Sequence, residues 1–248
     1  MDREQLERFL DETLESAKFG DYSPNGLQVE GRSRVRRVIT GVTACQALLD
    51  EAVCRNADTV IVHHGYFWKG ESPRVAGAKR QRLATLLRHD INLFAYHLPL
   101  DAHPVLGNNA QWARCLDWDC QGHFGDQAIG CWGALPVPMR ADALAGQLES
   151  VLARPPLLVG APDRMLRRIA WCSGGAQNLI ESAARLGVDA YLSGEISEPT
   201  PHLARENGIV FLACGHHATE RFGPRALAAH LAETLGLDCE FVDLPNPA

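Results

Sequence analysis

The sequence predicts an α/β protein of two interlocked lobes, each a mostly parallel or mixed sheet flanked by helices. Three observations carry that reading. Short apolar runs alternate with amphipathic helical patterns along nearly the whole chain. Two strand–helix–strand units follow one another in the first half, and the apolar runs stop abruptly at polar, glycine-containing exits. With 248 residues and 46% hydrophobic residues, the chain is long enough for one large core or two small ones. The polar stretch Asp119 to Phe124 reads as the crossing between an N-terminal lobe over 1–124 and a C-terminal lobe over 125–248.

Leu6, Phe9, Leu10, Leu14 and Ala17 recur at helical spacing over residues 2–19, with Gly20 where that helix stops. Tyr22-Ser23-Pro24-Asn25-Gly26 packs turn formers together before a short alternating strand from Leu27 to Glu30. Asn25 reads first as a turn residue and second as a polar finger near a site. Val38 to Val42 and Val60 to Val62 are strands joined by a helix over 44–54, hence parallel. The aromatics of Gly65-Tyr66-Phe67-Trp68 either wall a site or pack, and packing suits Phe67. A helix over 77–89, with Leu83, Leu86 and Leu87 inward, leads to the strand Ile91 to Tyr96 and repeats the unit. Pro99 predicts a loop between His97 and Asp101. Gly107-Asn108-Asn109 then enters a helix carrying Ala110, Ala113 and Leu116.

Ala128 to Leu135 reads as a strand, Ala141 to Ala153 as a helix, and Pro155-Pro156 as a break. Arg168 to Cys172 is a strand feeding Ser173-Gly174-Gly175 into a helix from Ala176. Such a glycine pair either presents backbone N–H groups to an anion or makes a tight packing turn. Val188 to Leu192 is a strand that ends in Ser193-Gly194-Glu195. A short helix over 199–207, the strand Ile209 to Cys214, a helix from Ala218 to Leu235 and an edge strand from Glu240 to Val242 close the chain.

The formal net charge of −6 argues against bulk electrostatic binding of nucleic acid, although it leaves room for a local basic patch. The eight cysteines form no Cys-x-x-Cys pair and sit mostly in apolar runs, which points to a reducing compartment rather than a disulfide framework. The first residues are charged and polar, no stretch is long and apolar enough to span a bilayer, and no secretory segment is recognisable. The expected location is cytoplasmic, with no membrane partner.

The chemistry gathers where strands end. Asp58 to Val62 runs into His63, His64 and Gly65; Ile91 to Tyr96 runs into His97 and Asp101; Ile209 to Cys214 runs into Gly215, His216, His217 and Glu220. Open α/β sheets bind ligands just beyond the carboxyl ends of their strands, so three such ends can converge on one site. Consecutive strand residues face opposite ways, so His63 and His64 should face two ions side by side, with Gly65 releasing the chain from the ladder. His216 and Glu220, four apart at a helix start, share a face. Imidazole and carboxylate ligands without thiolates suit zinc, manganese or iron. A pair of such ions lowers the pKa of a bridging water and steadies the oxygens of a hydrolysis. His97, His217 and Glu195 are candidates to orient the ligands or carry protons. His89, His103, His123, His202 and His230 are isolated and read as surface or packed residues.

Six motifs in order resemble the GTP cyclohydrolase I type 2 homolog family, also called Nif-three-like proteins, in its short bacterial form. They are Ser23-Pro24-Asn25-Gly26-Leu27-Gln28-Val29, His63-His64-Gly65-Tyr66-Phe67-Trp68, His97-Leu98-Pro99-Leu100-Asp101, Cys172-Ser173-Gly174-Gly175, Ser193-Gly194-Glu195, and Gly215-His216-His217-Ala218-Thr219-Glu220-Arg221. The resemblance implies a Nif-three-like fold and a dinuclear metal site held by His63, His64, Asp101, His216 and Glu220, lying between the lobes. It also implies a toroidal homohexamer. Gly65 stands where many relatives carry proline, and the middle domain inserted in longer relatives is absent.

Two functions follow as expectations. The first is a hydrolase using two divalent metal ions per subunit on a nucleotide-like or small polar substrate, with His97 as the catalytic proton carrier. The alternative is a non-catalytic metal-binding hexameric ring, a partner platform in nucleic-acid maintenance or transcriptional regulation.

Overall fold

The computed structural model describes residues Met1 to Ala248. The chain is a mixed α/β protein of two sheets flanked by helices. It divides into one unit over 1–100 and 223–245 and a second over 101–222 and 246–248, in place of the expected boundary after residue 124.

The first unit is built on the predicted repeat. Strands β1 (Gly26–Val29), β2 (Arg37–Thr43), β3 (Thr59–His64) and β4 (Asn92–Ala95) share a sheet with the closing strand Asp238–Phe241, in the order β1, β4, β3, β2, closing strand. Only β1 runs antiparallel to its neighbour. Helices Gln46–Cys54 and Gly77–His89 make the two crossovers and pack Leu48, Leu49 and Leu86 with Ile39, Val60 and Val62. Leu87, expected inward, is 65% exposed, whereas Leu86 is buried in the core and Leu83 packs partly buried against it, as the i, i+3 spacing of one helix face requires. The closing strand brings the C-terminal region home: it pairs with β2, and the Thr40 hydroxyl donates to the Pro224 carbonyl at 2.8 Å. That return explains the discontinuous first unit.

The opening helix Arg3–Leu14 buries Leu6, Leu10 and Leu14. It stops at Glu15 in the left-handed conformation (φ 51°), five residues before Gly20, so Ala17 lies outside it and is exposed. Asp58, just ahead of β3, accepts the backbone N–H groups of Arg36 and Arg37 at 2.8 and 2.9 Å and so fixes the start of β2.

The second unit carries β5 (Asp119–Phe124), β6 (Gly130–Arg140), β7 (Leu157–Val159), β8 (Met165–Cys172), β9 (Ala190–Ser193) and β10 (Val210–Ala213), in the order β5, β6, β8, β9, β10, β7. Strands β8, β9 and β10 are parallel and the outer pairings are antiparallel. Asp119 to Phe124, expected as the crossing between lobes, is instead an edge strand, because pairing with β6 outweighs its weak propensity. The β6–β8 register shifts between Ala134 and Met139, where Pro136 and Pro138 remove two ladder donors. Strand β7 had no counterpart in the sequence reading, being only three residues behind two prolines. Asp189 repeats the device of Asp58, accepting the N–H groups of Arg167 and Arg168 ahead of β9.

Candidate metal centre

In the first unit the parallel strands end at three imidazoles. His63 is fully buried as the penultimate residue of β3, and His64 is its last residue. The ladder runs through both, since Thr43 pairs with His64, yet their ring centroids approach to 4.5 Å. Strand alternation predicts that the two cannot face one ion while the ladder continues; the ladder does continue to His64, yet both rings offer nitrogens to one cluster, since His64 is the strand's last residue. The His97 ring lies 5.0 Å from that of His63 and 5.7 Å from that of His64, and the three offer ligand nitrogens within 4.8 Å of one another.

Hydrogen bonds set the imidazoles' protonation. His63 Nδ1 lies 3.1 Å from the Tyr96 carbonyl, which only accepts, so Nδ1 carries the proton and Nε2 is the basic nitrogen. His97 Nδ1 lies 2.7 Å from Oδ1 of Asp21, a carboxylate whose side chain is 3% exposed. Burial raises the Asp21 pKa, but the hydrogen bond and charge of His97, the Asn25 amide and the Leu98 N–H outweigh it and hold the carboxyl down at about 2. Asn25 also accepts the His97 backbone N–H at 2.8 Å, so it is a positioning residue as well as a turn former. Asp21 escaped sequence reading; its one signal was an acidic residue four before Asn25 in a dense turn.

The wall and exit are local. Trp68 stands edge-on to His97 at 5.0 Å, whereas Tyr66 is buried and bonds the Ala44 carbonyl. Phe67, expected to pack, is 40% exposed, in a left-handed conformation (φ 66°). Gly65 is needed for space: a Cβ there would meet Gln28 Oε1 at 2.2 Å and Ala95 Cβ at 2.5 Å. Residues Leu98–Ala102 form a helical turn rather than the expected loop, since proline is tolerated in a first turn whose N–H groups have no helical partner.

In the second unit two buried carboxylates meet. Asp101 and Glu220 are 7% and 2% exposed, with ligand oxygens within 4.8 Å of one another. Asp101 Oδ1 accepts from the Asn108 amide and the Ser173 hydroxyl, both at 2.9 Å. Asn109 anchors the same corner, accepting the Ser173 N–H at 2.8 Å. His216 opens a one-turn helix, His216–Thr219, and lies with Nε2 3.0 Å from Glu220 and Nδ1 2.7 Å from Glu195. Burial lowers the His216 pKa, but hydrogen bonds and charge from Glu220 and then Glu195 prevail and lift it to about 9. His217 is half-buried, and its backbone N–H donates to Ala248.

Gly174 makes this corner possible. Its φ is +66°, and a Cβ there would sit 2.1 Å from Glu220 Oε1. Its N–H donates to Thr219 Oγ1 and its carbonyl accepts from Gly194. The glycine pair is thus the packing turn of the two readings, with the Gly174 amide used internally instead of facing an anion.

The family model of Duf34/NIF3 (NGG1p interacting factor 3) matches residues 1–247. The chain belongs to that family. It is 55% identical to the GTP cyclohydrolase 1 type 2 homolog of Escherichia coli K12, all of each chain being covered. Among solved structures it is similar to the ybgI protein, described as of unknown function, at 55% identity and a TM-score of 0.96 over all of both chains. TTHA1606 of Thermus thermophilus follows at 35% identity and 0.91, again over both full chains. No helix of this Duf34/NIF3 member is long and apolar enough to cross a membrane.

The donor set fits a divalent cation. Two buried carboxylates within 4.8 Å repel by on the order of 3 kcal/mol at an effective dielectric constant of about 20, and a cation or shared proton relieves that cost. Imidazole nitrogens oriented by carbonyl and carboxylate partners are suited to zinc, manganese or iron.

Proposed function

We propose that this Duf34/NIF3 member is a metal-dependent hydrolase that holds two divalent ions per chain through His63, His64, Asp101, His216 and Glu220. The observation that carries the metal reading is the buried Asp101–Glu220 carboxylate pair, with His216 held between Glu195 and Glu220. When bound, the ions supply Lewis-acid activation of water and of a substrate oxygen. The residues of the chain do the rest. Tyr96 and Glu195 orient His63 and His216, Ser173 and Asn108 fix Asp101, and Asp21 holds Nδ1 of His97 so that Nε2 is the nitrogen that exchanges the proton. Trp68, edge-on to His97, excludes water from that side.

The substrate class is nucleotide-like or small and polar, consistent with relatives called GTP cyclohydrolase 1 type 2 homologs. We propose a homohexamer as the working assembly, which light scattering of the purified chain tests. For the hydrolase, the experiment is elemental analysis of the purified protein beside His64→Ala and Glu220→Ala, followed by turnover assays on nucleotides and phosphoesters. About two ions per chain, lost in both variants, together with metal-dependent turnover, is the expected result. Metal loss without any turnover leaves the partner-platform reading; no uptake of zinc, manganese or iron by the parent removes both.

A further inference from the structure

Cysteines 120 and 131 and His123 lie far apart in the logic of the sequence but close on one face of the β5–β6 hairpin. His123 pairs directly with Cys131, and Cys120 with Gly133. The register slips between Cys120 and Gly122, a bulge that adds one residue to β5. Without it, strand alternation would put Cys120 and His123 on opposite faces; with it, both join Cys131. Gly133 completes the arrangement, because a Cβ there would strike the Asp119 carbonyl at 1.7 Å and crowd Cys120.

We propose that Cys120, His123 and Cys131 form a separate binding site for one soft divalent cation, zinc in the cell. Their ligand atoms lie within 4.8 Å of one another, and Cys131 Sγ is 3.6 Å from His123 Nδ1. Two thiolates and an imidazole are the donors that select zinc over manganese, calcium or magnesium, and three protein ligands leave one tetrahedral position open. All three residues line one cavity of about 350 Å³. Trp118 lines the same cavity, and its indole N–H is buried with no protein acceptor, which suits a water or small anion in the fourth position. On binding, the Cys120 and Cys131 thiols each lose a proton to solvent; two S–H bonds break, two metal–sulfur bonds form, and no electron is transferred. None of the eight cysteines is in a disulfide, so both thiols are available in the reduced chain.

The site is distinct from the imidazole–carboxylate ligands, none of which is a thiolate, and so has its own spectrum. The reduced full-length protein is titrated with cobalt(II), and the thiolate-to-cobalt charge-transfer band in the near ultraviolet is recorded for the parent, Cys120→Ser and His123→Ala. Both substitutions are at exposed positions and spare the core. One thiolate-bound cobalt per chain in the parent, with the band lost in Cys120→Ser and the affinity at least about tenfold weaker in His123→Ala, is the expected outcome. Zinc should displace the cobalt and bleach the band. A parent without the band, or a band unchanged in both variants, overturns the site. Recovery of Cys120 and Cys131 as a disulfide that persists while cobalt is taken up elsewhere overturns it equally.

Discussion

The imidazole of His97 bonds through Nδ1 to the buried carboxylate of Asp21, 76 residues earlier in the chain, at 2.7 Å. The pair is held from both sides, because Asp21 also accepts the Leu98 N–H and the Asn25 amide. If His97 carries the proton, His97→Ala should lower turnover about 100-fold or more. Asp21→Asn should lower it less while leaving metal content unchanged. Steady-state kinetics beside elemental analysis separates the two roles; loss of metal in either variant would place His97 among the ligands.

Asp21 also has a pH signature. Its carboxyl is depressed from 3.8 to about 2 in the folded chain, so its contribution to stability is complete above pH 3.8 and is lost as pH falls through 2. Urea midpoints of the parent and Asp21→Asn should therefore converge between those two pH values. A difference that stays constant across the window would show that Asp21 is not ionised in the fold.

His216 gives the opposite sign. Lifted from 6.5 to about 9, it contributes stability that is complete below pH 6.5 and lost as pH rises through 9 in metal-free protein. A cation on His216 and Glu220 must displace that proton, so metal uptake at neutral pH should release it, and affinity should rise up to about tenfold per pH unit. Calorimetry of metal binding in buffers of different ionisation enthalpy reads the proton directly; heats independent of the buffer would contradict the assignment.

Gly174→Ala should damage the same corner. The added methyl meets Glu220 Oε1 at 2.1 Å in a left-handed backbone, and a cost of about 1–3 kcal/mol is expected with reduced metal content. Chemical denaturation and elemental analysis check it, and an alanine variant with unchanged midpoint and metal would mean that Glu220 moves freely.

Asp58 and Asp189 each hold the backbone of a neighbouring strand, and Asp58 also pairs with the Arg32 guanidinium at 3.0 Å. Each accepts two N–H groups, Asp58 at the start of β2 and Asp189 within β8, so alanine at either position should cost about 1–3 kcal/mol, the more for buried Asp58. Absent losses in denaturant midpoints would assign these strand segments to the ladder itself.

Much of this was legible in residue patterns because it depends on neighbours a few positions apart. The β2–β3–β4 repeat, the burial of Leu6, Leu10 and Leu14, and the clustering of ligand-type residues at strand ends all follow from periodicities of 2 and 3.6. Motif resemblance then placed the chain in its family. The misreadings have one kind of cause. Asp119 to Phe124 looked like a linker because its polar residues and Gly122 hide an edge strand paired with β6. Pro99 looked like a helix breaker but occupies a first turn.

The sequence by itself determined the α/β class and the family, since these rest on local pattern and on motifs spread along the whole chain. Tertiary structure alone decided the rest. It divided the chain within the helical turn that carries Asp101 and brought the closing strand back to β2. It set Asp21 against His97, Ser173 against Asp101, and Cys120 and Cys131 with His123. The first two pairings join segments more than 70 residues apart, and the third, within one hairpin, depends on a single bulge and the room left by a missing Cβ, which residue patterns do not display.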